Sequence, residues 1–164
     1  MIINKDTEML LFRFSNYKRH SFINEHLSLL NNTGYVWMMK LGKRSSIEKI
    51  NDIKENGGWL VLRSPKADGS KSYLAKFTDV IEVTPKDGVY PEYYHELFNG
   101  IDEGNLYYVN DPSFQWFRIE LIEPLDNITA GSLVVSKTGK KVDDVINTTR
   151  TAVMFIKNEV SIEA

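Results

Sequence analysis

Between residues 9 and 64 the spacing of apolar residues changes four times, and that alternation restricts the chain to mixed α and β structure. MLLFRFSN (9–16) is a dense apolar run without helical period and reads as a strand. FINEHLSLLNN (22–32) puts Phe22, Ile23, Leu27 and Leu30 at helical spacing, with Asn32 and Gly34 as a stop. YVWMMKL (35–41) returns to a strand pattern. SIEKINDIKENGG (46–58) is a short amphipathic helix with Ser46 as N-cap, Ile47, Ile50 and Ile53 facing inward, and Gly57-Gly58 ending it. WLVLRS (59–64) and SYLAKFTDVIEV (72–83) form a hairpin about Asp68-Gly69.

The second half is less regular. Residues 84–113 are rich in Gly, Pro, Asp and Tyr, with a helical turn or two near PEYYHELF, and read as a long insertion. QWFRIELIEPL (115–125) is a strand, SLVVS (132–136) a short one, KVDDVINTT (141–149) a helical turn or two, and TAVMFIK (151–157) a last strand. The sum is an α+β chain of six to seven strands and about three short helices. The expected form is a single domain over 1–164 on a curled, barrel-like sheet, with an acidic loop insertion at about 84–113.

A chain of 164 residues buries roughly 70% of its unfolded surface and needs no covalent staple. The absence of cysteine removes disulfide frameworks, thiolate zinc sites and cysteine nucleophiles together. MIINKDTEMLLFRF has charges among its first eight residues and too short an apolar run for a signal peptide. No run approaches the ~18 apolar residues of a membrane span. The expectation is a cytoplasmic protein with no membrane contact, in which the N-x-S/T triplets at Asn31, Asn127 and Asn147 carry no glycan.

The net charge of −2 conceals segregation. Residues 35–80 hold nine Lys or Arg against five Asp or Glu (+4), and residues 81–127 hold two against ten (−8). Either one face attracts polyanions and another repels them, or the acidic loops are simply solvated.

Catalytic and metal motifs are not met. GSLVVSKTGKK fails the phosphate-loop pattern because Val134 and Lys141 occupy the positions of its first glycine and its Ser/Thr. His20, His26 and His95 show no ligand pairing on a helical face, and there is no G-x-S-x-G. No catalytic residue, metal or cofactor is expected.

Aromatic residues remain. GYVWMMKLGKR (34–44) sets Tyr35 and Trp37 beside Lys40, Lys43 and Arg44, and Trp59 opens a strand ending at Arg63. Each aromatic taken singly is core by default. Taken with the cations, they are what a protein uses to stack an unstacked base and neutralise its flanking phosphates.

The order of these pieces resembles the YTH and EVE branch of the PUA-like superfamily, whose members read modified bases. LFRFSNYKRH is similar to the strand that closes in a K-S-N-type turn, so that Ser15 and Asn16 match its serine and asparagine while Phe14 replaces its lysine. GYVW is similar to the G-V-W whose tryptophan walls the base cage, which matches Trp37. ENGGWLVLRSPKADGSKSYLAKF, FRIELIEPLDNITAGSLVV and SKTGKKVDDVINTTRTAVMFI resemble the hairpin, the later strand and the closing segment. The family's second cage tryptophan falls on Leu121, with Trp116 five residues earlier.

The resemblance implies a PUA-like barrel and a non-catalytic reader of modified DNA, with RNA as an alternative, of the kind found at the N-terminus of McrBC-type restriction systems with an attached or associated motor or nuclease subunit. A base flipped from the duplex would enter a pocket of Ser15, Asn16, Tyr35, Trp37, Met38, Trp59 and Trp116. Lys40, Lys43, Arg44, Arg63, Lys66 and Lys71 would hold phosphates. Asn16 is either a reader of the base edge or a turn cap. The rival readings are a protein-interaction or anti-defence domain acting through its acidic segment, with Asp102, Glu103 and Asp111, and a small enzyme on the same scaffold.

Overall fold

The computed structural model describes residues 1–40, 45–97, 115–149 and 151–164. Its strands are β1 (Ile2–Ile3), β2 (Glu8–Arg13), β3 (Val36–Lys40), β4 (Trp59–Arg63), β5 (Ser72–Ile81), β6 (Gln115–Leu125), β7 (Leu133–Val135), β8 (Val153–Asn158) and β9 (Ile162–Glu163). Its helices are α1 (Phe22–Thr33), α2 (Ile47–Glu55), α3 (94–97), α4 (Asn127–Gly131) and α5 (Val142–Val145). Seven strands hydrogen-bond in the order β3-β6-β5-β4-β2-β8-β7, and β1 pairs with β9 separately. The class is α+β, as expected, with five short helices instead of three.

The expected barrel closure is not found among the described residues: β3 and β7 stand at the two ends of an open sheet. Closure requires every strand to pair on both sides. The three-residue β7 carries on its outer side only an isolated bridge from Val134 to Lys141, too short for a closing ladder.

The chain forms two compact units. The first comprises Met1–Ser15, Ile47–Lys76 and Ile122–Ala164. Its centre is β2 and β4, which run parallel with Leu10 opposite Leu60 and Phe12 opposite Leu62. Leu10, Leu11, Leu60, Val61 and Leu62 are wholly buried, so both faces are covered, as the unbroken apolar sequence of these strands requires. β8 flanks β2 and β5 flanks β4, both antiparallel. The β4–β5 turn is a 3-10 turn, Lys66–Asp68, closed by Gly69 at φ +84°. After α2, Gly57 at φ +123° lies so near Trp59 that a Cβ would stand 2.7 Å from its ring, so no other residue fits there.

Asn158 ties the ends of this unit. It is fully buried; its Oδ1 accepts from the Thr7 N–H at 2.9 Å, and its Nδ2 donates to the carbonyls of Asn4 and Val160, each at 2.8 Å.

The second unit comprises Asn16–Ser46 and Phe77–Leu121. α1 begins at Ser21, whose Oγ accepts from the Asn24 N–H, and ends at Gly34, whose N–H donates to Leu30 O. The helix buries Phe22, Ile23, His26 and Leu30 along one stripe. β3 pairs antiparallel with β6, Trp37 opposite Arg118 and Met39 opposite Trp116.

The segment 84–97 is more than the start of an insertion: Tyr90, Tyr93 and Tyr94 are buried with Trp37, Met39 and Trp116, and the Trp37 N–H donates to Val89 O at 2.8 Å. The rest of the expected insertion, 98–113, lies outside the described residues.

Replacing Asn158 by alanine strands one buried N–H and two carbonyls. The expected loss is about 3 kcal/mol, at the upper end for a single substitution, read as a lower urea midpoint at unchanged m-value.

Candidate functional site

The tryptophans expected to cage a base are packed inside the two units. Trp37 and Trp116 share the buried cluster of the second unit, whereas Trp59 belongs to the first. Trp116 is completely buried, its ring 5.1 Å from Tyr90 and 5.7 Å edge-on from Tyr94. Trp37 is 6% exposed, and its indole N–H donates to Asp87 Oδ2 at 3.2 Å. Met38 follows Trp37 on a strand whose side chains alternate, so it takes the opposite face of β3. Trp59 is buried beneath the Lys76 ammonium, 5.2 Å from its ring centre. In each case packing within a unit has won over display.

Tyr35 is half-buried, with Arg118 stacked over its ring at 4.2 Å. Its hydroxyl donates to the same Asp87 carboxylate at 2.8 Å. Partial desolvation pushes the Asp87 carboxyl up, but bonds from the Val89 N–H, Tyr35 and Trp37 outweigh it and hold the group below the usual range.

Under this cluster lies a polar chain that the sequence did not disclose. His26 is buried, and its Nδ1 stands 2.6 Å from Phe22 O, a group that only accepts, so Nδ1 carries the proton. Nε2 therefore accepts, and Tyr94 Oη donates to it at 2.7 Å while itself accepting from the Met39 N–H at 3.3 Å. Burial holds the His26 imidazole down at about 4, from an ordinary 6.5, and pushes the Tyr94 phenol well above 10.0. His26 is thus a neutral core residue joining α1, α3 and β3.

The predicted cations divide by burial. Lys40 is 2% exposed, and burial lowers its ammonium pKa, so its side chain is turned away from a phosphate at the surface. Arg63 is also buried: its Nε donates to Ser72 Oγ at 2.8 Å and both terminal nitrogens reach Asp143 Oδ1 at 3.1 and 3.2 Å. That guanidinium fastens α5 to β4. Lys66 and Lys71 are exposed on the β4–β5 turn, available to an anion. Lys43 and Arg44 lie outside the described residues, as do Asp102, Glu103 and Asp111.

Ser15 and Asn16 are exposed at the end of β2, and they diverge. Asn16 Oδ1 accepts from the Phe22 N–H at 3.0 Å, the turn-capping role. Ser15 lines a hollow of about 400 Å³ at the ends of β2 and β4. Because the two strands run parallel, both deliver their C-terminal ends there, the place where open sheets with parallel strands bind ligands. Phe14 and Arg13 from β2, Ser64 and Lys66 beyond β4, and Asn147 and Thr151 from the following loop also face it. Its described lining holds three cations, Arg13, Arg63 and Lys66, and no carboxylate.

The frame of the hollow is bonded. The Phe14 N–H donates to Arg63 O at 3.1 Å, the Arg13 N–H to Ala152 O at 2.7 Å, and Arg13 Nη1 to Thr149 O at 2.8 Å. Sequence reasoning found Ser15, Arg63 and Lys66 but missed Arg13, Ser64, Ser70, Asn147, Thr149 and Thr151. The hydroxyl-rich NTT before residue 150 was the available signal.

No family model, curated protein or solved structure was found to match the chain. Among the described residues no three His, Asp or Glu side chains are grouped to hold a metal ion, and no helix is long and apolar enough to cross a membrane.

Two outcomes are expected. Trp37→Ala opens a cavity in the second unit and lowers the unfolding free energy by about 3–5 kcal/mol, measured by urea denaturation. The His26 pKa is lower in the folded chain, so between pH 6.5 and about 4 the unfolded chain binds more protons. Stability is therefore complete above pH 6.5 and falls on acidification towards 4, by at most about 1.4 kcal/mol per pH unit from this group. In denaturation series at several pH values, His26→Gln should flatten that part of the slope.

Proposed function

We propose that this chain is a non-catalytic nucleic-acid-binding domain that recognises a modified base in DNA, received in the hollow at the ends of β2 and β4. The observation that carries the reading is the charge of that lining: Arg13 and Lys66 with no carboxylate among its described residues, the charge of Arg63 being met by Asp143, in a chain whose net charge is −2. Such a lining favours an anionic ligand, and its volume of about 400 Å³ falls in the ~300–1,000 Å³ of ordinary ligand sites.

The chemistry of the walls suits a base. Phe14 borders the hollow with an aromatic edge that is 6% exposed, and base stacking on an aromatic contributes about 1–3 kcal/mol against the few kcal/mol that flipping costs. The hydroxyls of Ser15 and Ser70 and the amide of Asn147 can each donate and accept, as a base edge requires. Lys66 at the lip, with Lys71 on the same turn, would neutralise flanking phosphates without reading sequence. The likeness of residues 9–16 to the turn of YTH and EVE domains supports the same position, because Ser15 is the element of that turn which faces the hollow. The base pocket is thus relocated from Trp37 to Ser15 and its neighbours.

The test is a titration at fixed salt with duplexes carrying no modification, methylcytosine, hydroxymethylcytosine, glucosylated cytosine or N6-methyladenine. A preference of about tenfold (about 1.4 kcal/mol) for one of them is expected, and Ser15→Val should abolish it. Lys66→Ala should weaken modified and plain duplexes equally and reduce the salt slope by about 1. Equal, weak binding to every duplex and to the corresponding RNAs would overturn the reading.

A further inference from the structure

A second hollow in the first unit, of about 670 Å³, shares Thr149 and Thr151 with the first but has a different character. Val153, Met154 and Phe155 of β8, with Val135 and Val145, give it apolar walls. Lys49, Lys137 and Lys140 also line it, against the single carboxylate of Glu8 among the described lining residues. The Lys49 ammonium lies 4.8 Å over the Phe155 ring, so charge and aromatic surface already adjoin.

Lys137 and Lys140 are exposed on the SKTGKK turn, the segment whose sequence fails the phosphate-loop pattern. The turn is firmly made: the Gly139 N–H donates to Val135 O and the Val135 N–H to Lys140 O, each at 2.8 Å, with Gly139 at φ +71°. Both lysines therefore flank a fixed backbone.

At the base of the turn is Ser136. Its N–H donates to Phe155 O at 3.0 Å, while its Oγ is buried with no hydrogen-bond partner among the described residues. A buried hydroxyl left so costs about 1–3 kcal/mol, and native proteins keep few of them. Apolar walls with an aromatic face, a pair of cations on a bonded turn and an unpartnered hydroxyl together describe a ligand with a flat ring at one end and a multivalent anion at the other.

We infer that this hollow binds a nucleoside phosphate, with the ring against Phe155 and Met154, the phosphate between Lys137 and Lys140, and Ser136 Oγ bonded to the ligand. The phosphate is held by side-chain charge instead of the cradle of backbone amides that the failed motif would have supplied. The site does not depend on base recognition in the first hollow. The same chemistry is offered by a free mononucleotide and by one nucleotide of a strand.

The test is calorimetric titration of the whole chain with each free nucleoside 5′-monophosphate, an unmodified single strand of about five nucleotides, the uncharged nucleosides, and inorganic phosphate. Nucleoside phosphate, free or in the strand, is expected to bind at least about tenfold more tightly than nucleoside or phosphate alone. The double change Lys137→Gln/Lys140→Gln should reduce that binding about tenfold or more and remove most of its salt dependence. Ser136→Ala should weaken it about threefold or more at an unchanged or raised thermal midpoint, which a merely structural hydroxyl would not do.

Binding of free mononucleotides that these variants weaken identifies a soluble nucleotide as the source. Binding of the strand alone, weakened in the same way, identifies the nucleic acid. Binding that the variants leave unchanged, inorganic phosphate binding as tightly as nucleotides, or no binding of either source overturns the inference. Failure of the modified-duplex titration leaves this result standing, and the converse holds.

Discussion

The parallel pairing of β2 with β4 is the constraint on which the candidate sites depend. The other registered pairs within the first unit are antiparallel, and antiparallel neighbours finish at opposite ends. A parallel pair finishes together, so Arg13 and Arg63 arrive side by side and the chain must leave both strands from the same edge. Phe14, Ser15, Ser64 and Pro65 surround the hollow for that reason. Such a pair also cannot be joined by a tight turn. The crossover runs from residue 14 to residue 58 and includes α1, β3 and α2.

Much of this architecture is legible in the residues. The strand over 115–125 is found with the same limits, α1 and β3 within a residue at each end, and the Asp68-Gly69 turn where expected. Local chemistry is enough for these: apolar period, a capping serine, a glycine at positive φ. Where the sequence misled, the deciding force was tertiary. The tyrosines of YPEYYHELF suggest a polar insertion because they stand among Pro, Glu and His, yet Tyr90, Tyr93 and Tyr94 are drawn inward to cover Trp37 and Trp116. α4 went unread although Asp126 caps it through the Thr129 N–H, since five residues are too few to establish a period.

The candidate site was less legible because burial is a property of the fold. Lys40 and Arg63 look alike in sequence to Lys66, each a cation at a strand end beside an aromatic or a turn. Only the packing distinguishes them, placing two inside and one at the lip of a hollow. Asn16 shows the same limit, since its amide could serve a ligand or a helix start, and the N–H of Phe22 takes it. Ser15, one residue earlier, lines the hollow instead.

The pairing of β2 with β8 also sets an order of events during synthesis. β4 reaches β2 after some fifty residues, but Phe12 must wait for Val153 and Glu8 for Lys157. Until then the β8 side of β2 is an unpaired, apolar edge, the kind of surface that templates association with other chains. A chain emerging at about 5–20 residues per second keeps that edge open for several seconds. Contacts so distant in sequence also slow the search for the native state. The geometry that brings the ends of two strands together therefore leaves the nascent chain exposed until almost its last strand is made.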